Sequence, residues 1–177
     1  MARGDRCLVA DLSFDLGRGD LLWVSGVNGS GKSTLLRALA GLHPVADGRV
    51  TRDLSNLQFV GHKPGFRLNS RIKDEVNFWE LDTKSGYLDD DILGSGKRVL
   101  ELSRGQQQRL ALARLCIKPG MVWVLDEPFT SLDALAAEKL QCDLAELCRR
   151  GGAAVVASHD IKKIGLKTER LLSLQAT

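Results

Sequence analysis

No stretch of the 177-residue chain approaches the roughly 18 to 20 consecutive apolar residues a helix needs to cross a bilayer. The first residues also lack the apolar run of a signal peptide, so any link to a membrane is expected to come through a partner. Lys and Arg together number 25 against 22 acidic residues, and no basic tract of the kind that grips nucleic acid interrupts them. Nucleic acid is therefore not an expected partner. The four cysteines, Cys7, Cys116, Cys142 and Cys148, have no metal-type spacing; three fall in segments that read as helices, where Cys behaves as a small core residue, and a reducing compartment is the simplest reading. Internal repeats and extended linkers are absent too. With 44% apolar and 27% charged residues, disordered and fibrous classes drop out, and the length fits one domain able to bury a real core.

What is present is a succession of short apolar runs ending in turn or polar residues, alternating with helix-period segments. That pattern is the mark of an α/β fold, a mainly parallel sheet flanked by helices. The clearest runs are Leu21 to Ser25, Leu57 to Val60, Met121 to Leu125 and Ala153 to Ala157. A helix is expected to open near Gly31 and stop at Gly41, a second to start at the N-cap Ser103 and reach about Ile117 before Pro119-Gly120. A third, Ala134 to Arg150, carries an apolar stripe at Leu140, Leu144, Leu147 and Cys148. Between Ser70 and Leu102 one helix-like piece, Arg71 to Trp79, is followed by polar sequence with Asp89-Asp90-Asp91, which reads as a solvated turn. The segment 70–102 is thus expected to be a short helical subdomain set into a core formed by 1–69 and 103–177.

Residues 26 to 34 read Gly26, Val27, Asn28, Gly29, Ser30, Gly31, Lys32, Ser33, Thr34, after a strand and before a helix. That is the context a phosphate-binding loop requires. Its glycines let successive N–H groups turn inward, the helix dipole completes the anion nest, Lys32 adds a full charge toward the β and γ phosphates, and the Ser33 hydroxyl is placed for Mg²⁺. ATP and Mg²⁺ are the implied ligands.

The strand Met121 to Leu125 delivers Asp126 and Glu127 to its exposed end. Asp126 suits Mg²⁺ held through water, and Glu127 suits a general base acting on the water that attacks the γ phosphate. Ser103, Arg104, Gly105 and Gln106 form a second capped helix start whose amides and glycine suit another phosphate. One domain can hardly fold both sites around a single γ phosphate. Two copies are therefore expected to meet across a two-fold axis, in an ATP-dependent homodimer.

Taken together, the motifs resemble the ABC ATPase family: GVNGSGKST its phosphate loop, LSRGQQQR its signature, VWVLDEP its Mg²⁺ strand, SLD at 131–133 its dimer-contact loop and ASHD at 157–160 its switch histidine. The five occur in the family's order from Gly26 to Asp160. The resemblance implies that His159 contacts the γ phosphate and helps set the attacking water, that Asp133 organises the dimer interface, and that the signature touches ATP held by the opposite subunit. It also implies integral membrane subunits as partners and a peripheral position on the cytoplasmic side of a membrane, or the matrix side in an organelle.

Within the family, Gly61-His62-Lys63-Pro64-Gly65 is similar to the wording of the ATPase of cytochrome c maturation systems, which is associated with haem-handling membrane proteins. Two departures stand out. Lys63 occupies the position where the family normally has a glutamine coupling ATP to the membrane partner; a lysine accepts no hydrogen bond, though its ammonium reaches phosphate, and a solvated loop residue is the other reading. No aromatic residue precedes Phe14 to stack on adenine. The alternatives are service in another ABC transporter and a weakly hydrolysing, nucleotide-dependent regulatory scaffold.

Overall fold

The computed structural model describes residues 2–3, 6–7, 12–63, 65–116 and 122–175. Expectations that touch Pro64, Ile117, Pro119, Gly120 or Met121, and the side chain of Cys7, lie outside the described residues. The chain divides into two compact units, Met1–His62 with Gly120–Pro128 and Gln141–Thr177, and Lys63–Pro119 with Phe129–Leu140. The second is larger than the 70–102 segment singled out above: it takes in the helix after Ser103 and the residues following Phe129.

In the first unit, a two-residue pair, β1 (Ala2–Arg3) and β2 (Arg6–Cys7), is antiparallel. The main sheet has five parallel strands, β3 (Leu21–Gly26), β4 (Leu57–Val60), β5 (Val122–Asp126), β6 (Ala153–Ala157) and β7 (Glu169–Leu174), in the order β4-β5-β6-β3-β7. Because both faces are buried, β3, β5 and β6 read as continuous apolar runs: Leu22, Val24, Val124 and Val155 belong to a cluster on one face, while Leu21, Trp23 and Val156 are buried on the other. β7 is absent from the expected strands. Only Leu174 of its six residues is buried, so the run lacks the apolar signature, and register with β3 from Leu21↔Glu169 to Gly26↔Leu174 is what makes it a strand. Glu169 anchors it, accepting from Trp23 Nε1 at 3.3 Å and from the N–H groups of Ile164 and Gly165.

Helix α1 (Lys32–Leu39) packs on β3, β5 and β6 with Leu35 and Leu36 fully buried, each worth about 2 kcal/mol in apolar area removed from water. It ends as expected at Gly41: the N–H of Gly41 donates to Ala38 O and that of Leu42 to Arg37 O, a Schellman stop. Helix α5 (Ala134–Arg149) buries Leu140, Leu144 and Cys148 at four-residue spacing. Cys142, two residues off that stripe, is exposed, which corrects the expectation of a core cysteine there.

The second unit holds α2 (Ile72–Phe78), α3 (Asp90–Leu93), α4 (Arg104–Ala113) and the start of α5. Glu75, 1% exposed, accepts from Arg67 Nε at 2.7 Å and Trp79 Nε1 at 3.2 Å, so its charge is compensated. The acidic triplet is solvated as expected at Asp90 and Asp91, but it opens a helix rather than forming a turn. Asp89 caps α3 by accepting from the Ile92 N–H at 3.0 Å, and Asp90 and Asp91 occupy the first turn, where the helix dipole favours them.

Candidate functional site

Strands β3, β5 and β6 end side by side, and every catalytic candidate of the first unit sits where they end. Gly26 closes β3 at φ 152°, and a Cβ there would meet Ser30 Oγ at 2.5 Å and Leu174 O at 2.7 Å. Only glycine fits. Gly31, left-handed at φ 96°, then starts α1 without any side-chain cap, so the first N–H groups of that helix keep their bonding capacity for an anion. Val27, Asn28 and Gly29 are exposed, Ser33 and Thr34 half-buried, and Ser30 buried with no hydrogen-bond partner for its hydroxyl. Lys32 is buried at 7% exposure. Its ammonium folds over the loop, donating to Gly26 O at 2.7 Å and Val27 O at 3.3 Å, and lies 3.5 Å from Nε2 of His159.

Asp126 is the last residue of β5 and only 1% exposed, more enclosed than the strand's exposed end implied. Neither of its carboxylate oxygens has a hydrogen-bond partner. A carboxylate in that state is costly unless a cation or donor completes it. Glu127 follows at φ 53°, a left-handed conformation that costs a non-glycine residue about 1 to 3 kcal/mol and concentrates at functional sites. Its N–H donates to Ala157 O at 2.9 Å, which fixes the turn. Its side chain meets His159 twice: the His159 N–H donates to Oε2 at 3.4 Å, and Nε2 lies 3.3 Å from Oε1, charge-paired when the imidazole is protonated. Nε2 thus stands between a carboxylate and an ammonium, 3.3 Å from the one and 3.5 Å from the other.

Ser103, Arg104, Gly105 and Gln106, with Asp133 and Lys63, belong to the second unit. Ser103 and Gln106 form a reciprocal capping box, Gln106 N donating to Ser103 Oγ at 3.2 Å and Ser103 N to Gln106 Oε1 at 3.0 Å. A Cβ on Gly105 would come 2.5 Å from Ser131 O, so close approach of the chain's own loop already requires this glycine. Asp133 caps α5, accepting from the Ala136 N–H at 2.8 Å. Lys63 is exposed.

Three residues inside the quoted motifs carry contacts that the sequence alone does not assign. Ser158, 3% exposed, bonds both the carbonyl and the N–H of Asp160 and so shapes the turn that presents His159; its place inside ASHD was the available signal. Ser131 takes φ 64° beside Gly105. Arg109 bonds the carbonyl of Tyr87 and the carboxylate of Asp89, partners about twenty positions away that no local pattern reveals.

A family model described as ABC transporter matches residues 9–130. The chain is similar to the cytochrome c biogenesis ATP-binding export protein CcmA of Rhodobacter capsulatus, at 36% identity over 98% of this chain and 83% of that protein. It is 32% identical to CcmA of Escherichia coli K12, over 99% and 93% of the two chains. Among solved structures, a dimeric post-hydrolysis state of the ATP-binding cassette MJ0796 with ADP and Pi superposes with a TM-score of 0.82 at 22% identity, covering 99% of this chain and 92% of that one. An ATP-binding subunit of an ABC transporter gives 0.73 at 19% identity, covering 89% and 75%.

Proposed function

The chain belongs to the ABC transporter family and is an ATP-binding, ATP-hydrolysing cassette of it, and we propose that it is the nucleotide-binding subunit of a cytochrome c biogenesis complex that exports haem. The observation that carries the chemistry is the place of the His159 ring, 3.5 Å from the Lys32 ammonium at the head of α1 and 3.3 Å from the Glu127 carboxylate at the end of β5. Likeness to the two CcmA proteins over nearly the whole chain supports the choice of machine.

In this reading Gly26 to Thr34 cradle the phosphates of ATP, with Lys32 turning from its loop carbonyls to the β and γ phosphates. Glu127 takes a proton from the attacking water, and His159, hinged on Glu127 by its own N–H, orients that water against the γ phosphate. The residues fit Mg²⁺: Asp126 offers two buried oxygens without partners, and Ser33 adds a hydroxyl at the head of α1. When bound, Mg²⁺ would neutralise charge building on the phosphate oxygens.

The whole chain acts as one cassette, a nucleotide-binding core carrying a helical subdomain. ATP brings two copies together, Ser103, Arg104, Gly105 and Gln106 of each reaching the ATP of the other, with Asp133 at the joint. Among the described residues no helix is long and apolar enough to cross a membrane. Attachment to the cytoplasmic face, or the matrix side in an organelle, therefore runs through integral partners that handle haem. The exposed Leu68, Phe78 and Leu100 of the second unit give those partners apolar surface, and Lys63 replaces the usual coupling glutamine.

The test has two arms. Phosphate release and light scattering with ATP and Mg²⁺ should show turnover by the unaltered chain and a stable dimer for Glu127→Gln; absence of ATP affinity ends the motor reading. Co-purification from membranes should bring haem-handling proteins, and recovery of a different transporter's subunits removes the cytochrome c assignment alone.

A further inference from the structure

Arg109 of α4 spends each of its three guanidinium nitrogens on a different neighbour. Nε donates to Tyr87 O at 2.9 Å, one terminal nitrogen to Asp89 Oδ2 at 2.5 Å, and the other lies 3.8 Å from Asp133 Oδ2. The Arg109 side chain is 17% exposed while the carboxylates of Asp89 and Asp133 reach solvent, so the clamp depends on the guanidinium's fixed fork, a geometry that only arginine provides. The segment supplying two of the three acceptors is itself pinned. Tyr87 is fully buried, Lys139 of α5 lies 4.7 Å over its ring, and Asp89 is fixed by capping α3. A second connection runs in parallel: Ser131 O packs so closely on Gly105 that no side chain fits between them. Burial on its own would raise the pKa of Asp89, but the hydrogen bonds from Arg109 and the Ile92 N–H, with the charge of Arg109, outweigh it and hold the carboxyl below its ordinary range.

We propose that Asp89 is a positioning residue for ATP hydrolysis: by clamping Arg109 it ties the loop Ser131–Asp133 to the middle of α4, beside the Gly105–Ser131 contact at its start, so that signature and dimer loop meet the partner cassette as one block. This rests on the function proposed above, which puts both segments at the joint between two copies. Asp89 touches neither nucleotide nor water in this scheme. It acts through Arg109, and the acidic triplet gains a role that a solvated turn lacks.

The test is Asp89→Asn. Asparagine is as good an N-cap as aspartate, so α3 keeps its start while the charged bond to Arg109 is lost. The expected result is a kcat lowered about ten- to a hundredfold with KM for ATP and nucleotide affinity of the isolated chain within twofold, and faster amide exchange at 131–136. Arg109→Lys, which keeps the charge but not the fork, should do the same. If the unaltered chain hydrolyses ATP and both variants match it in kcat and in exchange at 131–136, the positioning role is overturned and the proposed function stands. A chain that neither binds ATP nor releases phosphate removes both. Equal losses of affinity and kcat would show a general structural defect and also overturn it.

Discussion

The backbone N–H of His159 donates to Oε2 of Glu127 at 3.4 Å and its Nε2 lies 3.3 Å from Oε1, so the histidine ring and the carboxylate are placed by the same turn. One consequence is that the two residues are not independent. The Glu127 side chain is held by a backbone N–H that any replacement of the histidine except proline keeps, while the imidazole supplies the contacts with Oε1 and with Lys32 of the phosphate loop.

His159→Ala should therefore leave Glu127 oriented and ATP affinity within a few-fold, yet lower kcat about a hundredfold. Phosphate release at saturating ATP, with nucleotide binding measured separately, checks this. An unchanged kcat would remove His159 from the reaction.

Asp126 yields a prediction of opposite sign for stability and activity. Its carboxylate is buried with neither oxygen hydrogen-bonded, so neutralising it relieves a desolvation cost while removing the acidic group suited to Mg²⁺. Asp126→Asn should stabilise the nucleotide-free protein by about 1 to 2 kcal/mol and abolish Mg²⁺-dependent turnover. Urea unfolding without ligand and phosphate release with Mg²⁺-ATP read the two effects. A destabilised variant would mean that the carboxylate is satisfied in solution.

Gly26 separates steric need from chemistry. A methyl group there runs into Ser30 Oγ at 2.5 Å and the backbone oxygen of Leu174 at 2.7 Å, and the second of these cannot rotate away. Gly26→Ala should cost about 1 to 3 kcal/mol in unfolding free energy even without nucleotide, and weaken ATP binding because the loop must shift outward. Full stability with lost binding would place the role of Gly26 in phosphate contact alone.

How much of this was legible in the sequence depends on distance along the chain. The phosphate loop and the strands β3, β4 and β6 could be read because each signal is contiguous: apolar run, glycine turn, helix. Strand β7 could not, since five of its six side chains are not fully buried and its identity comes from pairing with β3, some 148 positions earlier. Charge alone makes the acidic triplet look like a turn. The same aspartates satisfy the N-cap and dipole preferences of a short helix, and Asp89 finds Arg109 twenty residues on. Residue type alone points Cys142 inward, yet a position two residues off a four-residue stripe faces outward whatever the side chain. Gly105 was legible as a close-approach glycine, but not that the approach is to Ser131 of its own chain.

The cysteines give the last prediction, in which pH does the sorting. Burial, reinforced by the negative charges of Asp20 and Glu169, pushes the Cys148 thiol up to about 11, and its Sγ lies 3.6 Å from Asp20 O. Its folded-state pKa is raised above the ordinary value of 9.0, so the neutral thiol contributes stability that is fully present below pH 9 and lost as pH rises toward 11. The stability difference between the unaltered chain and Cys148→Ala should accordingly be constant from pH 7 to 9 and shrink above it. At pH 8 iodoacetamide should modify exposed Cys142 readily and Cys148 only on unfolding, because the reactive species is the thiolate. Peptide mass spectrometry distinguishes the two sites, and rapid native-state labelling of Cys148 would show that the floor of α5 against the start of β3 opens more freely than its packing indicates.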